Sequence, residues 1–387
     1  MIDEFYIYFL IIPLIFFLIY SKSKLEFIIL LFISTYILTY IIAYYLGIRV
    51  DVSSTNDNSN SNSIFVSAVY VFYLGYLFQK FFRSKKFIIY KNNENKGLTF
   101  LLNCLLVILL LVELSLTSFD IFKDARIYSN LTKDTYIFEF INIIYVFYYF
   151  NLNNKKSRIF IFFVLSHVML SIFDGHRLMA LSSGFLLFII YILPHISIRK
   201  TVLYLFSALI LLEGISLMRS NISTEDAQSV ALREDSFSTH QGSVIYSTLT
   251  IIDFSERYDV LEKIIMSSQY TLSLFFSEKW LPNNLIFSKA LSKHTYRPGG
   301  GLIIGFAYAF FGYLGVFVCG YFVSYVSSWG RYINKNLLIP PYAYLMIIMI
   351  PRYFSYTPLH IFKTILFTTI IYYVFYRFKN KTTTHLI

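Results

Sequence analysis

The lysines and arginines of this chain stand at alternate ends of its hydrophobic runs, and this regularity constrains how the chain lies in a membrane. A helix that crosses a bilayer needs about 20 mostly apolar residues, or about 17 at the short end. Candidate runs cover residues 5–20, 25–46, 64–82, 98–117, 136–152, 159–173, 178–194, 201–218, 302–327, 337–350 and 359–376. The sequence therefore predicts an all-α fold, a polytopic integral membrane helical bundle of about 11 transmembrane helices.

The charges between the runs predict which side of the membrane each connection faces. One alternate set of connections is basic, with Glu26 and Glu94 as its only acidic residues. Its cations are Lys22, Lys24, those from Lys80 to Lys96, Lys155, Lys156, Arg158, Arg199, Lys200, Arg331, Lys335, Arg377, Lys379 and Lys381. By the positive-inside rule these connections are cytoplasmic. The N-terminus is therefore predicted outside, the C-terminus in the cytoplasm, and residues 219–301 outside.

Composition limits the class of protein. Hydrophobic residues make up 57% of the chain and charged residues 14%, which excludes a large soluble domain. We predict a single transmembrane domain over residues 1–387. The net charge of +11 falls mostly on the cytoplasmic rim, where it faces anionic membrane lipids, so no nucleic acid partner is predicted. Cys104 and Cys319 fall inside candidate spans, which predicts neither a disulfide nor a metal site, and no cofactor is predicted.

One connection, residues 219–301, is much longer than the others and forms the predicted large external loop. Within it, Val260–Phe276 and the following Trp280 have the pattern of an amphipathic helix that lies on the outer membrane surface. A helix that packs over the mouth of the bundle fits the pattern equally well. Loops longer than about 15 residues in compact proteins are usually functional or disordered, and the apolar runs here favour an ordered, functional loop.

Arginine is frequent at the external ends of the candidate spans. The residues are Arg49, Arg126, Arg177, Arg219, Arg233, Arg257, Arg297 and Arg352. Positive charge is disfavoured on this side of the membrane, so the excess needs a reason. The guanidinium fork binds phosphate and carboxylate groups in a bidentate manner that lysine cannot reproduce. The pattern therefore predicts an outward pocket for a ligand that bears phosphate or an acidic sugar.

Two groups of candidate site residues stand directly at span ends. Asp174 and Arg177 flank a very tight outer turn, where Asp174 would act as a general base and Arg177 would bind phosphate. An internal Asp174–Arg177 ion pair that closes the turn is the alternative. Arg219 immediately follows a span, and it would reach either the phosphate of a substrate or the phosphates of membrane lipids.

The polar part of the long loop holds a candidate acid–base group. Arg233, Glu234, Asp235 and His240 lie close together in the chain. A carboxylate or an imidazole in such a group is suited to acid–base work on a hydroxyl. Ordinary solvated loop charges would explain the same residues, so both interpretations remain open.

The segment before the run at 302–327 carries the most suggestive phosphate-binding pattern. Arg297 is followed by Gly299, Gly300 and Gly301, and glycines let backbone amides approach a ligand closely. The N-terminus of the following helix favours negative charge. We therefore predict a phosphate site at these residues, with a hinge into the membrane as the alternative. The sequence has no Walker, HExxH, GxSxG, zinc or Rossmann motif, which argues against an energy-coupled pump.

Three segments resemble those of a known family. They are Asp174–Gly184 (DGHRLMALSSG), Arg233–Ser243 (REDSFSTHQGS) and Arg297–Gly315 (RPGGGLIIGFAYAFFGYLG). With the topology and the large external loop, they resemble the Wzy-type O-antigen polymerases. The resemblance in layout covers most of the chain, whereas the motif-like segments cover about 40 residues.

The resemblance implies a membrane glycosyltransferase of lipopolysaccharide biosynthesis in the bacterial inner membrane. Its substrate would be an undecaprenyl-pyrophosphate-linked oligosaccharide, whose chain is transferred to a sugar hydroxyl of a new repeat unit at the outer face. The pyrophosphate role would fall to Arg177, Arg219, Arg233 and Arg297, and the role of base to Asp174, Glu234, Asp235 or His240. A chain-length regulator and a flippase are candidate protein partners.

Two other functions stay open from the sequence. An O-antigen ligase uses the same lipid-linked donor but transfers the finished chain to a lipid A core, and His294 beside Arg297 would suit its base. A lipid-linked oligosaccharide flippase needs a polar cavity through the spans. Charge within the candidate spans is limited mainly to Glu113, Glu139 and Glu213, which argues against the flippase.

Overall fold

The computed structural model describes residues 21, 23–45, 59–82, 95–116, 135–152, 157–173, 177–197, 199–201, 203–204, 207, 240–273, 300–329 and 341–383. Its helices are α1 (Lys24–Tyr45), α2 (Ser59–Phe81), α3 (Lys96–Leu116), α4 (Thr135–Asn151), α5 (Arg158–Phe173), α6 (Arg177–Leu187), α7 (His240–Ser255), α8 (Val260–Leu272), α9 (Ile303–Ser328), α10 (Pro341–Ile348), α11 (Ile350–Ser355) and α12 (Leu359–Thr383). Helix α6 continues through a π-helical turn, Phe188–Ile192, and a 3₁₀ turn, Leu193–His195. The described residues contain no strand, and over them the all-α prediction is confirmed.

Four of the described helices are long and apolar enough to cross a membrane. The candidate spans are Lys24–Ile42 in α1, Asn60–Phe81 in α2, Lys96–Ser115 in α3 and Ile303–Ser328 in α9. Each coincides with a run predicted from the sequence. Helices α4, α5, α6, α10 and α12 also lie at predicted runs, whereas 5–20 and most of 201–218 lie outside the described residues. The chain is thus compatible with a multi-pass membrane protein, while the count of spans and their sidedness stay predictions.

Helix α3 shows the kind of surface that a lipid environment favours. Phe100, Ile108 and Leu111 are 71%, 57% and 59% exposed, and they belong to one helix of apolar character. A continuous apolar face of this kind is costly in water, whereas lipid chains cover it at no such cost. The exposure pattern agrees with the membrane assignment.

The chain divides into two compact units. The first contains Met1–Lys85, Leu232–Gly330 and Pro351–His360, and so includes α1, α2, α7, α8, α9 and α11. The second contains Lys86–Ala231, Arg331–Ile350 and Ile361–Ile387, and so includes α3 to α6, α10 and most of α12. The candidate site described below lies wholly in the first unit.

In the first unit, α2 and α9 pack closely through two glycines. A Cβ atom at Gly75 would overlap the carbonyl oxygen of Phe317, and one at Gly320 would overlap the carbonyl oxygen of Phe72. Only hydrogen fits at either position, so the two backbones meet directly, as small residues allow between membrane helices. Glycine therefore sets the distance between these two candidate spans.

A row of polar side chains continues this contact toward the C-terminal ends of α2 and α9. Ser324 Oγ donates a hydrogen bond to Gln79 Oε1 over 3.0 Å, and the Tyr76 hydroxyl lies 3.0 Å from Ser327 Oγ. Tyr76 also donates to Glu26 Oε1 over 3.1 Å, which joins α1 to the same row. Buried polar groups are stable when they satisfy one another in this way.

Glu26 and Lys80 form a buried ion pair between α1 and α2. Lys80 Nζ lies 2.7 Å from Glu26 Oε1, and Glu26 is 1% exposed. A buried charge is costly unless it is paired, and here the lysine provides the partner. At the other end of the two helices, the Tyr40 hydroxyl donates to Asn62 Oδ1 over 3.0 Å. Helices α1 and α2 therefore run antiparallel, which is compatible with the predicted alternation of spans.

Helix α7 lies inside residues 219–301, where the sequence analysis predicts a loop and no helix at this position. Its apolar side chains are buried against α1, α2 and α9. Serine and threonine dilute its hydrophobic pattern, but Thr248 Oγ1 donates to the Val244 carbonyl over 2.7 Å and Thr250 Oγ1 to that of Tyr246 over 2.9 Å. With its hydroxyls satisfied by its own backbone, α7 packs as an apolar helix within the first unit.

The helices of the second unit are joined by polar contacts between neighbours. Asn151 Nδ2 of α4 donates to Thr99 Oγ1 of α3 over 2.9 Å. Ser183 Oγ of α6 donates to Asn142 Oδ1 of α4 over 2.6 Å, and both residues are buried. The Tyr145 hydroxyl of α4 donates to the Phe163 carbonyl of α5 over 3.0 Å. Helix α4 therefore contacts α3, α5 and α6 through hydrogen bonds as well as apolar packing.

A fully buried acid–imidazole pair joins α3 to α5. His167 Nδ1 lies 2.7 Å from Glu113 Oε1 and 2.9 Å from Oε2, and both side chains are 0% exposed. The contact gives each of these two buried polar groups a hydrogen-bond partner. Two oxygens facing one nitrogen fix the orientation of the imidazole ring. The pair thus holds two helices of the second unit together at a position where lipid could not satisfy either group.

Glu113→Ala is expected to destabilise the protein by about 3 kcal/mol or more, because it removes the hydrogen-bond partner of a buried imidazole. Glu113→Gln keeps an oxygen that can accept the same hydrogen bond, so its effect should be smaller. Thermal unfolding of the detergent-purified protein measures both. Ser115→Ala, at an exposed position of the same helix, is the control and should change stability little. Equal loss in the alanine and glutamine variants would contradict the role given to the hydrogen bond.

Candidate anion-binding site

The start of α9 is held between α7 and the turn that precedes α12. The amide of Gly301 donates to the Tyr356 carbonyl over 3.2 Å, and the amide of Leu302 donates to Thr248 Oγ1 over 2.8 Å. A Cβ atom at Gly300 would overlap the backbone and ring of Tyr356. At Gly301 it would lie 2.8 Å from the Ile251 side chain. Glycine at these two positions therefore permits close packing of the segment.

These contacts change the interpretation of the glycine segment. The sequence analysis predicts that backbone amides at Gly299, Gly300 and Gly301 approach a phosphate. In the structure the Gly301 amide is already used by Tyr356, and Gly299 lies outside the described residues. An anion would reach the Gly301 amide only after the bond to Tyr356 opens. A cationic side chain near the segment is therefore a better candidate for binding an anion than the backbone amides.

Arg352 lies beside this segment and is buried, with 7% of its surface exposed. It belongs to α11, whose first turn contains Pro351, a residue tolerated there because the N–H it lacks has no partner within the helix. Arg352 Nε donates to His360 Nε2 over 2.9 Å. Because Nε2 accepts this hydrogen bond, the imidazole is neutral and carries its proton on Nδ1. The helix and the imidazole thus fix the position of the guanidinium group.

Tyr356 stacks on His360, the hydrogen-bond partner of Arg352. Its ring centroid lies 6.1 Å from that of His360, with the two rings stacked at 30°, and 45% of Tyr356 is exposed. His360 beneath it is 3% exposed. The Tyr356 carbonyl accepts from Gly301, so one residue contacts both the start of α9 and the buried imidazole. A surface aromatic ring therefore covers the buried imidazole that holds Arg352.

Helix α8 contributes Tyr270 to the site. The Tyr270 hydroxyl is hydrogen-bonded to Thr357 Oγ1, and the Thr357 amide donates to the Arg352 carbonyl over 3.3 Å. Burial raises the pKa of the Tyr270 phenol above its ordinary value, and the Thr357 hydrogen bond offsets this in part. Tyr270 is therefore a neutral hydrogen-bonding group at ordinary pH. It links α8 to the turn that carries the arginine.

A desolvated guanidinium group is suited to binding an anion. Arginine keeps its charge in almost any surroundings, and its attraction to phosphate rises as the effective dielectric constant falls. Arg257 offers a contrast within the same unit. Its side chain is 49% exposed and forms an i,i+4 pair with Asp253 over 2.8 Å, the arrangement of an ordinary solvated surface charge. Burial distinguishes Arg352 as the better candidate for ligand binding.

The residues predicted from the sequence are only partly described. Those outside the described residues are Asp174, Arg219, Arg233, Glu234, Asp235, Arg297 and Gly299. Arg177 begins α6 and His240 begins α7, and their side chains also lie outside the described part. Of the predicted site residues, Gly300 and Gly301 belong to the candidate site, where they contact Tyr356. The proposed roles of the others stay predictions.

His360 has no site role among the predictions from the sequence, in which Arg352 is one of the outer arginines. The sequence nevertheless contains a signal for a turn at this site. Arg352 and His360 stand at the two ends of a short segment that separates two predicted spans. The same segment contains Ser355 and Pro358, which favour turns. Thr248 carried no signal, since its contact with Leu302 depends on a helix that was not predicted. Comparisons with protein-family models, with characterised proteins and with solved structures give no match.

Proposed function

We propose that this protein polymerises undecaprenyl-pyrophosphate-linked oligosaccharide repeat units into O-antigen polysaccharide at the outer face of the bacterial cytoplasmic membrane. Support comes from the predicted topology with its long external segment and from the three motif-like segments. The observation that carries the proposal is the buried Arg352, hydrogen-bonded to His360 beneath Tyr356. By the predicted topology this group lies at the outer side, where the lipid-linked substrate would present its pyrophosphate.

The proposed reaction is a glycosyl transfer. The bond between the anomeric carbon of the donor chain and the pyrophosphate oxygen breaks, and a bond forms from that carbon to a hydroxyl oxygen of the acceptor repeat unit. The hydroxyl proton passes to a base, and the pyrophosphate leaves on its lipid carrier. The leaving group gains negative charge in the transition state, so a fixed guanidinium group lowers the barrier. No metal ion is needed for this balance.

Arg352 is proposed to bind the pyrophosphate, and the same role for Arg177, Arg219, Arg233 and Arg297 stays a prediction from the sequence. His360 is proposed as a positioning residue, because its Nε2 atom holds the guanidinium group through Nε. The guanidinium group of Arg352, held in this orientation, is proposed to meet the phosphate oxygens of the leaving group. The base is proposed to be one of Asp174, Glu234, Asp235 and His240, among which the described contacts make no choice.

Deletion of the gene in the source bacterium tests the proposal on lipopolysaccharide gels. We expect bands at core plus a single repeat unit, because flipping and ligation would continue while chain growth stops. Bare core without any repeat unit would contradict the proposal and indicate a ligase or a flippase. An unchanged ladder would also contradict it, since the polymer would then be made without this protein. Restoration of the ladder by the plasmid-borne gene is the control.

A further inference from the structure

Helix α8 has two faces of different character. Val260, Leu261, Ile264 and Leu272 are 75%, 66%, 46% and 42% exposed, and they lie along one side of the helix together with the exposed Ser268. Spacings of three and four residues bring these positions onto a single strip. The opposite face carries the buried Met266 and Gln269. The exposed strip thus consists almost entirely of aliphatic side chains.

The buried face of α8 packs on α7 and on the beginning of α9. Met266 belongs to a core cluster with Ile251, Phe254, Phe306, Ala309 and Phe310. The Tyr270 ring lies 5.8 Å from the ring of Phe306 and 5.3 Å from that of Phe310. Helix α9 is one of the four helices long and apolar enough to cross a membrane. One side of α8 is therefore fixed to a candidate span.

The contacts of α8 with α9 fall on the N-terminal segment of α9. Just before α8, Glu256 Oε1 accepts a hydrogen bond from the Tyr308 hydroxyl over 3.1 Å, while Tyr270 near its end meets Phe306 and Phe310. These positions precede Gly312, whose backbone lies in the left-handed region (φ 60°) and divides α9 into two segments. Helix α8 is therefore attached to the segment of α9 that comes before this break.

The polar groups at the start of α8 also suit a membrane surface. Asp259 and Glu262 form a capping box, in which each side chain accepts from the backbone amide of the other residue. Lys263 Nζ lies 3.5 Å from Glu256 Oε1, off the exposed strip. Charged groups therefore flank the aliphatic strip without interrupting it. This is the distribution found in helices that lie in the interface with their apolar side among lipid chains.

We propose that α8 lies in the interface of the membrane with its Val260–Leu261–Ile264–Leu272 strip inserted among the acyl chains of the outer leaflet. The occupant of the strip is the lipid bilayer itself. Phe311 and Leu314 of α9, 57% and 73% exposed, flank the break at Gly312 and follow the α8 contact in the chain, so apolar exposure continues from α8 onto α9. A protein partner would need to replace lipid on both helices. The inference rests on the membrane assignment and not on the proposed chemistry.

Depth-dependent fluorescence quenching in phosphatidylcholine vesicles tests this inference. Cys104 and Cys319 are replaced by serine, and single cysteines are introduced as Val260→Cys, Ile264→Cys and Leu272→Cys and labelled with a nitrobenzoxadiazole group. Interfacial helices bury their apolar side by about 5–10 Å. We therefore expect all three labels to be quenched more strongly by lipid spin-labelled near the headgroup than by lipid labelled at the chain terminus.

Lys263→Cys provides the matched control, because it lies on the same helix but off the exposed strip. Its label should be quenched less than the label at Ile264. Equal quenching at Lys263 and Ile264 would overturn the proposed orientation, and no quenching at the strip would overturn its insertion. Strong quenching at Val260 with none at Leu272 would show a helix inclined into the bilayer and overturn the in-plane position. These results are independent of polymer formation, so they separate this inference from the proposed function.

Discussion

Replacing Arg352 with lysine is expected to reduce polymer formation by a factor of about 10² or more while the protein still accumulates in the membrane. Lysine keeps the positive charge but loses both the fork that binds phosphate and the Nε–H that bonds to His360. The measurement is the ratio of long-chain to single-repeat lipopolysaccharide when the variant replaces the wild-type gene. Arg352→Ala should abolish the polymer, although the cavity it leaves will also lower stability.

Three further variants separate binding from stability. Arg257→Lys, at an exposed arginine of the same unit, should leave the ladder unchanged. His360→Gln supplies an oxygen that can accept from Arg352 Nε and should retain much of the polymer, whereas His360→Leu should lose it. Thermal unfolding of each purified variant controls for misfolding. A wild-type ladder from a well-folded Arg352→Lys protein would remove Arg352 from the proposed site.

Gly75→Leu and Gly320→Leu are each expected to destabilise the protein by about 3 kcal/mol or more, because a side chain has no space between α2 and α9. The atom that a Cβ would meet at both positions is a backbone carbonyl oxygen, which cannot move without shifting a whole helix. Even Gly75→Ala should destabilise markedly. The separation of the helices would also break the contacts of Tyr76 with Ser327 and of Gln79 with Ser324. Thermal unfolding in detergent measures the loss.

Gly184 in α6 is the matched control for this prediction. A Cβ atom there would meet nothing within 4 Å. Because alanine is favoured over glycine inside a helix, Gly184→Ala should leave the protein unchanged or stabilise it by about 0.5–1 kcal/mol. If Gly75→Ala and Gly184→Ala had the same small effect, the close approach of α2 and α9 would be wrong. Loss of stability at Gly75 alone would support it.

The positions of the long helices could be predicted because span length and apolar composition are local properties of the sequence. The runs at 25–46, 64–82, 98–117 and 302–327 match α1, α2, α3 and α9 closely. Helix α7 could not be predicted in the same way. Its threonines look polar in the sequence, and only the backbone hydrogen bonds of Thr248 and Thr250 remove that polarity in the folded helix. Burial against α1, α2 and α9 then stabilises this helix.

The candidate site was less accessible from the sequence, since its contacts join distant segments. Gly300 and Gly301 predict a close approach of the backbone to a ligand, whereas the structure places Tyr356 against this segment. The pairing of Arg352 with His360 depends on a turn that folds back between α11 and α12. Glu113 was noted as an acid inside a span, whereas its partner His167, on another helix, gave no local signal. Pairings of this kind are fixed by tertiary packing and not by spacing.

The polar row shared by α1, α2 and α9 has a consequence for how the chain is made. Tyr76 and its partner Ser327 are separated by 251 residues, so at ribosomal rates α2 waits roughly 10 to 50 s before α9 is synthesised. Glu26 and Lys80, by contrast, both belong to the hairpin of α1 and α2 and can neutralise each other as soon as it is complete. This hairpin thus carries its own counter-charge, and its insertion need not await the late arrival of α9.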